Sequence, residues 1–203
     1  MTSQASIVQM LPKIDSKTRA SFLGRLKIIY SAMDKQYQQA ADYYNFHCRG
    51  CNDSCCFTRF YHYTLLEYLY IMEGYQTLVN EQKVQVKNRA LEVCRKTREA
   101  NEEGAPVRLM CPLNVNNLCL IYTYRPMICR LHGIPHILRR PGQEVLYSEG
   151  CNVFTKQCQG KERLEFDRTP FYISMAELEK ELKQAVGMTE KIKMTVAQMV
   201  TTF

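Results

Sequence analysis

The chain has 203 residues, 46% of them hydrophobic and 23% charged, with a formal net charge of +7. That size and balance suit one globular domain with a buried core and exclude a low-complexity or fibrous chain. No apolar run approaches the roughly 20 residues that span a bilayer, so no membrane role is expected. The surplus of cations comes without a basic run interleaved with aromatics, so it gives no clear nucleic-acid signal.

The first residues, "MTSQASIVQMLPKID", lack a basic segment followed by an apolar stretch of signal-peptide length. The expectation is a cytoplasmic protein. Ten cysteines in a reducing compartment point to metal binding before disulfides. Thiolates around a metal would also offset part of the positive charge.

In chain order, residues 16 to 45 read as a long helix, with Leu23, Leu26, Ile29, Met33 and Tyr37 at helical spacing. "CRGCNDSCC" follows at 48 to 56 and is treated below. A helix is predicted from Thr64, where "TLLE" has the form of a capping box with Glu67, to Gly74. A second helix covers about 80 to 103, with Val84, Ala90, Leu91 and Cys94 on one apolar stripe and Gly104 and Pro106 as breakers. Cys94 reads there as a small buried hydrophobe.

Residues 107 to 151 hold the second cysteine-rich stretch. "NVNN" is a turn between Cys111 and Cys119. "RPMICRLHG" is one or two helical turns starting at Pro126 and stopping at Gly133. "HILRRPGQEVLYSEG" reads as a short β-hairpin around Pro141 and Gly142. From 173 the tail is helical, with Ser174 and Glu177 as a capping box and Ala176, Leu178 and Leu182 on its apolar face. The fold expected is mainly α: a single domain over 1–203, a cysteine-rich metal-binding core over 45–155, and a C-terminal helical segment over 173–203.

Eight cysteines carry the chemistry. The first group is Cys48, Cys51, Cys55 and Cys56; the second is Cys111, Cys119, Cys129 and Cys151. Cys48 and Cys51 have the CxxC spacing that turns two thiolates onto one metal. If the doublet were extended, Cys55 and Cys56 would point to opposite faces. A tetrahedral site made from 48 to 56 alone would then be strained, so a ligand from the second group is expected. Arg49, Arg125 and Arg130 stand beside ligands in sequence and are candidates to neutralise thiolate charge. His47 and His132 neighbour cysteines and are secondary candidates as ligands; His62 and His136 rank below them.

"CRGCNDSCC", followed by "CPLNVNNLCLIYTYRPMICRLHGIP" and a later "GC", resembles the YkgJ-type cysteine-cluster family, described as a zinc- or iron-chelating domain. The resemblance covers roughly 45 to 155. It implies metal binding through Cys48, Cys51, Cys55 or Cys56, Cys111, Cys119, Cys129 and Cys151. The family motif is CxxCxxCC, whereas here Asn52, Asp53 and Ser54 separate Cys51 from Cys55. That departure leaves open which member of the doublet ligates.

Thiolates suit both zinc and iron-sulfur clusters. Zinc knuckles pair CxxC with CxxC. This chain has one such knuckle, and its later cysteines have 7, 9 and 21 residues between them. A pocket gathered from several loops favours an iron-sulfur cluster over zinc. The expected function is a structural or electron-transferring metal protein. The alternatives are a metal-dependent enzyme modifying a protein or peptide and a zinc-binding structural or chaperone protein. A protein partner or substrate is expected but not identified. No P-loop, dinucleotide fingerprint or serine-histidine-acid pattern is present.

Overall fold

The computed structural model describes residues 14–48, 55–158 and 160–203. Helix α1 (Ser16–Tyr44) begins where Asp15 accepts a hydrogen bond from the Thr18 backbone at 2.9 Å, and ends at Asn45 in the left-handed conformation. Its buried line is Leu23, Leu26, Tyr30, Met33, Ala40, Ala41 and Tyr44. That is the helical period expected for a long surface helix.

Helix α2 (Leu65–Gln76) is buried nearly all round: Leu65, Leu66, Tyr68, Leu69, Tyr70, Ile71 and Tyr75 all lie in the core. An apolar helix without a polar face must be surrounded, and α2 packs against α1, the 122–124 turn and the two C-terminal helices. Thr64 caps it as expected, accepting from the Glu67 backbone. The predicted stop at Gly74 is two residues early. Gly74 lies inside the helix because Tyr124 packs against its backbone; a Cβ there would stand 2.5 Å from the Tyr124 Cβ.

Helix α3 (Asn80–Glu102) ends before Gly104, whose φ is +66°. Its inward line is Val86 and Ala90, with Val93 and Cys94 partly buried beside them. Val84 and Leu91, expected on that line, are 61% and 51% exposed. The helix touches the core along a narrow seam only, and apolar residues one turn off it face solvent.

Two small antiparallel hairpins follow where one was expected. Strands β1 (Asn114–Val115) and β2 (Leu118–Cys119) are joined by Asn116 and Asn117, both at positive φ. A two-residue hairpin turn with positive φ at both centres favours asparagine and glycine. Helix α4 (Met127–Leu131) comes next. Strands β3 (His136–Leu138) and β4 (Leu146–Ser148) form the predicted hairpin.

Helix α5 (Asn152–Gln157) leads to α6 (Thr169–Ala185). The α6 start differs from the reading at Ser174: Pro170 sits in the first turn, and Ser174 and Glu177 are interior. Proline at the first turn costs no hydrogen bond, so it opens the helix earlier than the apparent capping box. Met175, Leu178 and Leu182 face the core, whereas Ala176 is exposed. The buried Glu179 of α6 accepts from the Leu65 and Leu66 backbones at 2.8 and 3.1 Å, satisfying the first turn of α2.

The last residues dock. His62 and Met194 pair as an antiparallel bridge, and α7 (Val196–Val200) buries Ala197, Met199 and Val200 against α2 and α3. The architecture is mainly α, as the patterning predicted. No described helix is long and apolar enough to cross a membrane.

Candidate metal centre

Cys51 and Arg49 of the first cysteine group lie outside the described residues, as do Asn52, Asp53 and Ser54. None of the nine described cysteines is in a disulfide.

The two cysteine segments meet through the backbone. The Cys111 N–H donates to the Cys56 carbonyl at 2.8 Å. Around that seam the chain turns twice. Cys55–Phe57 is a short 3-10 turn, and Cys111 begins a turn that closes with Asn114 N–H to the Cys111 carbonyl at 3.0 Å. The doublet is therefore not extended, and the expectation that its side chains oppose each other is corrected. In a 3-10 turn successive side chains are rotated by a third of a turn, and the Cys55 and Cys56 thiols hydrogen-bond to each other.

The thiols share one electrostatic neighbourhood. Cys55 is raised far above the ordinary thiol range by its bond to Cys56, by burial and by the fields of Cys56, Cys129 and Cys48. Burial first, then Cys56 and Cys119, push Cys111 up to about 12. Cys119 rises through burial and Cys56. Cys129 rises well above its usual value through burial and Cys111, Cys56 and Cys119. Like charges forced together in a poorly solvated site raise each other's pKa. The field of Cys56 reaches Cys111, Cys119 and Cys129, and Cys55 feels Cys129 as well.

Cys48 and Cys151 lie on the flank. Both act on the Tyr37 hydroxyl, which burial and these two thiols raise well above the usual phenol value. Tyr37 donates to the His132 carbonyl at 2.9 Å, and Cys151 N–H donates to the Gly133 carbonyl at 2.9 Å. Gly133 has a φ of +110°, which glycine adopts readily. The 131–134 loop is thus held from both sides, by Tyr37 and by Cys151.

Each second-group cysteine has its own support. Cys129 rides on α4, whose first N–H, from Met127, donates to Glu67 of α2 at 3.1 Å. Arg130, one residue on, pairs with Asp34 of α1 at 2.5 Å and lies 4.4 Å over the Tyr30 ring. Cys119 ends β2, and Cys111 precedes β1, so the first hairpin presents both.

Arginines temper the thiols, and one of them, Arg125, belongs to the set read from the sequence. Arg125 lowers Cys119 and Cys129. Arg130 instead engages Asp34 and the carbonyls of Arg125 and Thr123. Arg89 of α3, absent from the sequence reading, lowers Cys111 and donates to the Pro112 carbonyl at 2.9 Å. Its signal was a cation between Val86 and Ala90, inside an otherwise apolar seam. Arg168 is 2% exposed, has no carboxylate partner among the described residues, and donates to the Leu131 and Ile134 carbonyls.

His47 is exposed. The His132 ring meets Phe60 edge-on at 5.5 Å. His62 is buried 3.5 Å from Glu67, and His136 belongs to β3. Cys94 packs against the core from α3. Cys158 is buried and its thiol donates to the Tyr44 carbonyl at 3.6 Å.

Among the described residues, no three Cys, His, Asp or Glu side chains already converge on one point as metal ligands do. The donor chemistry nonetheless fits a thiophilic metal: several thiols, partly buried, with arginines beside them and aromatic rings around them. No protein-family model, curated protein or solved structure matches the chain.

Proposed function

We propose that the chain is a metal-binding protein that holds an iron-sulfur cluster, or zinc, through thiolates of both cysteine segments. The observation that carries this reading is the seam at Cys56 and Cys111, around which the thiols of Cys55, Cys56, Cys111, Cys119 and Cys129 raise one another. Thiolates held this close repel one another, and a thiophilic metal that takes the place of their protons offsets that repulsion. Cys56, Cys111, Cys119 and Cys129 are the primary ligand candidates. Cys48, Cys51, Cys55 and Cys151 complete the set of eight. When bound, the metal would tie the loops before and after the α2–α3 pair together and, as a cluster, would carry electrons.

The spacing that resembles the YkgJ-type family supports the same reading. Free thiols in this number agree with a reducing compartment, the cytoplasm. The physiological partner or substrate is proposed to be a protein.

Anaerobic purification followed by elemental analysis and visible absorption tests the reading. Stoichiometric iron with sulfide absorption, or stoichiometric zinc without colour, is expected. Cys51→Ser and Cys129→Ser should each lower the metal content. Full metal content in Cys129→Ser would overturn a shared centre.

A further inference from the structure

A cavity of about 310 Å³ is lined in part by the segment that presents Cys129. Helix α1 contributes Lys27, Tyr30, Ser31 and Asp34; α2 contributes Tyr70; the 122–130 segment contributes Tyr122, Thr123, Arg125 and Arg130. Such a volume lies at the lower end of small-ligand sites.

The polar groups in it divide into satisfied and unsatisfied. Arg130 is satisfied: it pairs with Asp34 and donates to the Arg125 and Thr123 carbonyls. Lys27 pairs with Glu73 at 2.8 Å. The Tyr70 hydroxyl donates to the Thr123 carbonyl at 3.0 Å. The Asp34 and Glu73 carboxylates are thereby paired, and Glu67, whose field reaches Tyr30, accepts from the Thr64 hydroxyl and the Met127 N–H.

Two donors are left over. The Arg125 Nε donates to the Tyr122 carbonyl at 3.0 Å, and its guanidinium lies 3.5 Å from the Tyr122 ring centroid. Its two terminal nitrogens have no acceptor among the described residues. The Tyr30 side chain is 1% exposed, yet its hydroxyl has no hydrogen-bond partner. A buried hydroxyl left unpaired costs about 1–3 kcal/mol. A lining with surplus donors, one uncompensated cation and no free carboxylate selects for negative charge.

We propose that this cavity binds a compact oxyanion, a carboxylate or a phosphate, with Arg125 as its fork and the Tyr30 and Ser31 hydroxyls as further donors. Stacking on Tyr122 fixes the guanidinium plane before the ligand arrives, and a guanidinium fork matches either oxyanion in two parallel bonds. The proposal uses no cysteine as a contact, although the Arg125 charge also acts on Cys119 and Cys129; its test reads anion binding and not metal content.

The test is a titration of the full chain with inorganic phosphate and, separately, succinate, at ionic strength held constant with sodium chloride. Arginine Nε–H signals in nuclear magnetic resonance spectra report binding. A saturable shift of the Arg125 signal with either anion is expected, and the tighter anion identifies the ligand class. Ser31→Glu places a carboxylate at the mouth from an exposed position on α1. It should weaken binding by about tenfold or more through like-charge repulsion. Arg95→Gln, on the outer face of α3, should leave binding unchanged. Shifts that never saturate and match those of sodium chloride would overturn the proposal. So would parental affinity in Ser31→Glu, or in Tyr30→Phe, which removes only the unpaired hydroxyl.

Discussion

Single residues show where ordinary propensity is outweighed by packing. Replacing a helix-interior glycine with alanine stabilises an exposed helix by up to about 1 kcal/mol. At Gly74 the sign should reverse, because the new Cβ meets the Tyr124 Cβ and Cγ at 2.5 and 2.6 Å. Those atoms are near the backbone and cannot swing away. Gly74→Ala should destabilise by about 1–3 kcal/mol, read by urea denaturation; unchanged or higher stability would contradict the packing. His136 gives a pH dependence. Burial, with the Arg168 charge second, lowers its pKa to about 4. An unfolded histidine titrates near 6.5. Between those values the unfolded chain binds more protons, so this contribution is complete above pH 6.5 and is lost as pH falls toward 4. Denaturation midpoints of the parent should drop from pH 7 to pH 5 by the equivalent of about 1 kcal/mol after allowance for solvent screening. His136→Gln should flatten that part of the profile. At this scale the meeting of the two cysteine segments, seen at Cys56 and Cys111, was legible, because thiol spacing is a local signal. Arg89 and Arg168 were not: a buried arginine looks like a surface one until the carbonyls and thiols around it are known.

At the scale of elements, the legible parts were those whose signal is periodic or local. The α1 stripe, the Thr64 cap and the asparagine turn follow from spacing and turn chemistry. The starts and stops that went astray were decided by distant neighbours. Gly74 looked terminal until Tyr124 occupied its open side, and Ser174 looked like a cap until Pro170 opened α6 earlier. The placement of α4 is the clearest case. Five residues form a helix too short to stand alone, yet α4 carries Cys129. Its orientation comes from Glu67 at Met127 and from Asp34 at Arg130. Glu67 is 5% exposed and also receives the Thr64 hydroxyl at 2.9 Å. Glu67→Ala should therefore cost about 2–3 kcal/mol and loosen α4 selectively. In thiol labelling of the metal-free protein under native conditions, Cys129 should react faster in this variant than in the parent, while Cys94 on α3 should not change. Equal rates at Cys129 would show that α4 is held by its apolar contacts alone.

Across the whole molecule, the α2–α3 pair lies between the two cysteine segments in sequence, and the Cys111–Cys56 hydrogen bond closes it into a loop. A metal centre shared by both segments would clamp that loop, so its binding free energy would be added to folding. The same centre must contend with its own thiols. Cys111 sits at about 12, and Cys119 and Cys129 are raised as well, by burial first and by neighbouring thiols second. At neutral pH these thiols are protonated without metal, and each must release a proton to ligate. Affinity should therefore fall as pH falls, by up to about tenfold per pH unit for each ligating thiol. Chelator competition between pH 6.5 and pH 8 measures the slope, and proton release in weakly buffered solution counts the thiols directly. With four thiol ligands, close to four protons should appear per metal, and chelation should lower the melting temperature by more at pH 8 than at pH 6.5. Cys94→Ser and Cys158→Ser should change neither number. Binding that is independent of pH would mean the metal is not held by these cysteines.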